Sequence, residues 1–134
     1  MYAIDTNILI YAFDAHDKRK HAKAKQILMA AFNDEEKLIV TNQVLAEFVS
    51  AATTKLSPPL TTEELGRFLR SVEKSANWEI LNYGVAEVNA AAKMQKHFWD
   101  SLIAATIKRT GATLLTENTK HFEHTGARTK NPFE

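Results

Sequence analysis

With 134 residues the chain can bury one proper hydrophobic core but not two ordinary ones, so a single domain over residues 1–134 is expected. Its 45% apolar and 25% charged residues exclude a disordered or collagen-like chain, and the lack of cysteine excludes both a disulfide framework and a thiolate metal site. A net charge of +1 means that any attraction for nucleic acid must come from local basic patches and bound metal, not from the global field.

The chain opens on "YAID", a short apolar strand over residues 2–5 that runs into Asp5, Thr6 and Asn7, all good helix N-caps, so a helix is expected at once in "NILIYAF". From Lys18 to Phe32, Ala22, Ala24, Ile27, Leu28, Ala31 and Phe32 recur at helical spacing, with Lys18, Arg19, Lys20, Lys23 and Lys25 on the other side; "NDEEK" breaks that helix. "LIV" at 38–40 predicts a second strand, followed by a helix capped by Thr41 or Asn42 that carries Val44, Leu45, Phe48, Val49 and Ala52 on one side and stops at "LSPPL". Thr61 and Glu64 have capping-box spacing and open the next helix. "WEIL" at 78–81 predicts a strand, Val85–Gln95 a helix, and Asp100–Arg109 another, stopped by Gly111. "ATLLT" at 112–116 reads as a buried strand, and "ARTKNPF" at 127–133 as an edge strand. No internal repeat or linker divides the chain. Strands alternating with helices predict an α/β fold, a parallel sheet covered by helices on both faces with its ligand site beyond the carboxyl ends of the strands. No apolar run approaches bilayer length and the first residues do not resemble a secretory signal, so a cytoplasmic protein without a membrane segment is expected.

Three carboxylates stand among apolar neighbours: Asp5 after "YAI", Glu47 in "VLAEFV" and Asp100 in "FWDSLIAA". Taken singly, Asp5 and Asp100 read as helix caps and Glu47 as a solvated helix position. If strand ends and helix N-termini gather at one sheet edge, however, the acids converge, and like charges at close range call for a proton or a cation. Hard oxygen ligands without cysteine favour Mg²⁺ or Mn²⁺ over zinc.

Four segments, "IDTNILIY", "TNQVLAEF", "FWDSLIAA" and "LLTENTKHF", in this order, resemble the motifs of PIN-domain ribonucleases, and most closely those of VapC-type toxins of prokaryotic toxin–antitoxin modules. The resemblance covers nearly the whole chain and implies a three-layer α/β/α sandwich around a parallel sheet. It also implies a metal-dependent endoribonuclease that leaves 5′-phosphate and 3′-hydroxyl ends, a homodimer, and a cognate antitoxin. Carried onto this chain, it makes Asp5, Glu47 and Asp100 the catalytic acids that bind metal, with Thr6, Asn7 and Thr116 in support. Where many relatives have a fourth acid this chain has Asn118, whose amide oxygen can accept or ligate but brings no charge, so one well-held ion and a weaker second are expected. Glu117, next to it, is a poor replacement, because neighbouring side chains of an extended segment point to opposite sides.

Lys18, Arg19 and Lys20 belong to the densest basic cluster and are the candidate RNA contacts, although a solvated helix side is the stronger expectation for such a cluster. Phe98 and Trp99 offer rings for stacking on bases; core packing is the stronger expectation, given "LIAA" just beyond. Two other readings compete. A catalytically weak RNA-binding or partner-binding module of the same fold would accommodate Asn118. A phosphotransferase with Asp5 as nucleophile would need a second acid two positions on, where Asn7 stands. Nucleotide-binding glycine motifs are absent.

Overall fold

The computed structural model describes residues 1–134. Five strands form one all-parallel sheet: β1 (Tyr2–Ile4), β2 (Leu38–Thr41), β3 (Trp78–Leu81), β4 (Thr113–Leu115) and β5 (Thr129–Lys130), in the spatial order β3-β2-β1-β4-β5. Between them run α1 (Thr6–Phe13), α2 (Lys18–Phe32), α3 (Asn42–Thr54), α4 (Thr62–Lys74), α5 (Val85–Met94) and α6 (Phe98–Ile107), with short 3-10 turns at Lys108–Thr110 and Thr119–Thr125. This is the layered α/β architecture that the alternation predicts.

The first strand in sequence lies at the centre of the sheet, which explains its composition. Ala3 and Ile4 are buried, as are all four residues of β2 and Leu114 and Leu115 of β4. Parallel strands covered on both faces read as short continuous apolar runs rather than alternating ones. From β1 the chain steps outward to β2 and β3, then crosses back to β4 on the other side of β1. Right-handed crossovers in opposite directions place helices on opposite faces. On one face, rings from α1, α2, α3, α4 and β3 meet: Phe13 lies 5.2 Å from both Phe48 and Phe68, and Phe32 lies 4.9 Å from Trp78. Helices α5 and α6 pack against each other, and α6 also contacts β2 and the 3-10 turn at Thr119–Thr125. Reversal of strand order between β1 and β4 opens a crevice at their carboxyl ends, the usual place for a ligand in such sheets.

The larger departures from expectation are at the two ends of α6 and in the last strand. Helix α6 starts at Phe98 rather than Asp100, because Gln95 and His97 both adopt left-handed backbone (φ 57° and 45°) and turn the chain so that Phe98 is already helical. It ends at Ile107 in a 3-10 turn closed by Gly111 (φ 68°). The last strand is only two residues long, because Asn131 begins a turn in which its side chain accepts from the Phe133 N–H. That turn sends Phe133 back into the core, against Tyr11.

Candidate active site

Asp5 sits where β1 becomes α1. Its backbone N–H still donates to Leu115 of β4, while its side chain caps the helix by accepting from Thr6 N–H at 2.8 Å. The capping reading and the site reading therefore apply to the same residue: one carboxylate oxygen, Oδ1, holds the cap, and Oδ2 accepts from the Thr116 hydroxyl at 2.7 Å and from Asn7 Nδ2 at 3.3 Å. Asn7 also donates to Thr116 Oγ1 and accepts from the Glu117 N–H, which ties the end of β1 to the end of β4. Burial, aided by the charges of Asp100 and Glu47, pushes the Asp5 carboxyl up to about 6 against the hydrogen bonds from Thr116 and Thr6.

Glu47 comes from α3, which Thr41 caps through Val44 N–H. Its Oε2 accepts from Thr6 Oγ1 and its Oε1 from Gln43 Nε2, each at 2.8 Å. Asp100 stands in the first turn of α6. Half-burial raises its pKa, opposed by His121 and His97. His121 Nδ1 lies 3.4 Å from Asp100 Oδ2, the His97 ring stacks on His121 at 4.9 Å, and Ser101 Oγ meets His124 Nε2 at 2.7 Å.

Asp5, Thr6, Asn7, Glu47, Asp100 and Asn118 all line one open cleft, with Tyr11, Asp14 and Lys55 also at its walls. The acids do not form a closed cage: no three acid or imidazole groups are gathered tightly enough to hold an ion as they stand. Asp5 and Glu47 each give both oxygens to neighbouring donors in the protein. The donor set nonetheless suits a hard divalent cation, since every group facing the cleft from these positions offers oxygen, and burial holds two of the carboxyls above their ordinary pKa.

The remaining sequence candidates fall elsewhere. Glu117 turns away from the acids to accept from Tyr11 Oη at 2.8 Å and to pair with Lys20, whose ammonium also lies over the Tyr11 and Phe133 rings. Arg19 donates to the Phe133 carbonyl at 2.6 Å, so two of the three basic candidates fasten the C-terminal segment, while Lys18 is exposed. Trp99 and Phe98 are not core residues: Trp99 is 61% exposed and Phe98 36%, because the early start of α6 turns both outward. Gln43 escaped notice in the sequence. It is 4% exposed and bridges Glu47 to the Trp99 carbonyl, and its only sequence signal is a position one helical turn before Glu47.

A family model, the PIN domain, matches residues 2–127. The chain belongs to the PIN domain family. No curated protein matches it in sequence. Among solved structures, this PIN domain is similar to Mycobacterium tuberculosis VapC20, described as a sarcin-ricin loop cleaving toxin, with a TM-score of 0.70 and 15% identity over 95% of this chain and 96% of that one. A toxin–antitoxin complex from Klebsiella pneumoniae gives a TM-score of 0.69 and 21% identity over 100% and 99% of the two chains. VapBC2 from Rickettsia felis, bound to a DNA fragment from its promoter, gives 0.63 and 21% over 97% of each. At these identities the structures establish the fold of the PIN domain, a nuclease-type architecture.

Proposed function

We propose that this PIN domain is a divalent-metal-dependent endoribonuclease, the toxin of a toxin–antitoxin pair that acts in the cytoplasm as a homodimer until a cognate antitoxin blocks it. The observation that carries the reading is the arrival of Asp5, Glu47 and Asp100, from three separate elements, in one cleft at the reversal point of the sheet, with Asn118 beside them. Neighbours that are themselves toxins or toxin–antitoxin complexes support it.

In this reading Asp5 and Asp100 hold Mg²⁺ or Mn²⁺, Glu47 orients the attacking water, and Asn118 offers an uncharged oxygen where a second ion would be held weakly. When bound, the ion would supply positive charge that offsets the negative charge of the phosphodiester and would make a water more acidic. Thr116 and Asn7 hold the Asp5 carboxylate from the β4 side, and Thr6 and Gln43 hold Glu47. The RNA 2′-hydroxyl has no part in the attack.

Cleavage of single-stranded RNA by the purified chain, dependent on Mg²⁺ or Mn²⁺ and abolished by a chelator, is the expected result. Asp5→Asn and Asp100→Asn should each lower the rate by about a thousandfold, several kcal/mol of transition-state stabilisation, without unfolding the chain. Full activity in either variant would refute the assignment. The uncharged Asn118 and the open spacing of the acids favour one other reading, an RNA-binding or partner-binding module with weak chemistry. Stoichiometric RNA binding with no metal-stimulated turnover would select it.

A further inference from the structure

Beside the carboxylate cleft runs a second groove, lined by Asn42, Gln43, Ala46, Glu47, Tyr83 and Trp99. The two share Glu47 as a common wall. Its wall is aromatic: Trp99 is 61% exposed and Tyr83 36%, whereas the other tryptophan, Trp78, is 5% exposed. An indole that open to water forfeits most of the stabilisation its burial would bring, about 25 cal/mol for each Å² of apolar surface.

The exposed ring is nevertheless held in place. Phe98 packs against it edge-on, with centroids 5.1 Å apart and planes at 82°. Gln43 Nε2 donates to the Trp99 carbonyl and to Glu47 Oε1, both at 2.8 Å. Because both partners are acceptors, the amide can face only one way, and its buried Oε1 is left without a partner. One buried side chain thus joins the backbone of the aromatic wall to a carboxylate of the cleft, and Trp99 is followed directly by Asp100. Whatever lies against the indole is set at a fixed offset from two of the three acids.

We propose that this groove is a stacking subsite in which an unpaired nucleobase of single-stranded RNA lies on the Trp99 ring and places the adjoining phosphodiester over the acids. The proposal rests on the nuclease reading and adds to it the side chain that seats the substrate. An occupant that fills both grooves must present a flat apolar surface at one end and, at the other, a group that a cation on the carboxylates would hold; a nucleotide has both. Since every base has a π-face, such a subsite selects single strands over duplexes and leaves sequence to other contacts.

Tryptophan fluorescence gives a test independent of turnover, with buried Trp78 as a constant background. The probe is a short mixed-sequence RNA, single-stranded or annealed to its complement, added to the intact chain in EDTA and again with Ca²⁺. The expected result is quenching of the exposed-tryptophan emission by the single strand and not by the duplex, with loss of the quenchable component in Trp99→Ala and Trp99→Phe. Binding should weaken about tenfold in Trp99→Ala, within the range of one base–aromatic stack, and recover largely in Trp99→Phe. In the Mg²⁺-dependent assay, Trp99→Ala should raise KM by a similar factor and leave kcat within about twofold, since stacking is the same in ground and transition states. Unchanged emission and affinity in a chain that cleaves RNA would overturn the subsite while leaving the nuclease reading intact. Emission that follows protein concentration and oligomeric state but ignores RNA would also overturn it, assigning the groove to a second copy of the chain. Quenching by single strands in a chain that never cleaves would keep the subsite and overturn the nuclease reading.

Discussion

Asp5 is a carboxyl kept half-ready to ionise. In the unfolded chain its pKa is the ordinary 3.8; folded and free of metal it stands near 6 because burial outweighs the hydrogen bonds from Thr116 and Thr6. The folded state therefore binds the proton more tightly, and the associated stability is complete below pH 3.8 and is lost as pH rises through 6. The loss amounts to roughly 2–3 kcal/mol. Asp5→Asn keeps the neutral form at every pH, so in EDTA the variant should melt higher than the parent above pH 6 and gain little near pH 4. Adding Mg²⁺ should raise the melting temperature of the parent at pH 7.5 (roughly physiological conditions) and not that of the variant; calorimetry on both across this range checks the sign. Carboxylates among apolar neighbours were legible in the sequence because an unpaired charge there needs an explanation. Gln43 and the histidines around Asp100 were not. Their meaning depends on α3 meeting α6, which places Gln43 against a carbonyl 56 positions away, and nothing local announces that.

At the scale of the element, the readable features were those whose physics is local. Thr61 and Glu64 form the expected capping box, with Glu64 N–H donating to Thr61 Oγ1 at 3.1 Å and Thr61 N–H to Glu64 Oε1 at 3.0 Å. The bonds to Thr61 also hold the Glu64 carboxyl below its ordinary pKa. Thr61→Ala should cost about 1 kcal/mol of stability in urea unfolding at neutral pH and leave RNA cleavage unchanged, because α4 contributes no residue to the cleft. The start of α6 was misplaced for the opposite reason. Asp100 has the composition of an N-cap, but the two left-handed residues before Phe98 are Gln95 and His97, neither of which is a glycine that would advertise such a turn. The final strand is shorter than the run from "RTK" to Phe133 suggests, because Asn131 and Pro132 fold the tail back so that Phe133 is buried beside Tyr11.

For the molecule as a whole, the decisive feature is that β1 pairs with β2 on one side and with β4 on the other, Tyr2 opposite both Leu38 and Thr113. Alternation of strands and helices made the parallel sheet legible; the strand order was not, since the pairing of β1 with β4 joins segments more than a hundred residues apart. The Thr116 hydroxyl that positions Asp5 is 111 residues away from it in sequence. A chain ending at Thr110 would lose Leu114, Leu115, Phe122 and Phe133 from the core and leave one side of β1 unpaired. It should show no cooperative thermal transition by circular dichroism, whereas the full chain should show one. The same long reach has a bearing on how the cell makes such a protein. While the ribosome is still translating the first hundred or so codons, the carboxylate at the fifth position has no hydroxyl to anchor it and no crevice around it. A nascent polypeptide of this kind therefore carries no assembled carboxylate cleft until synthesis is nearly complete.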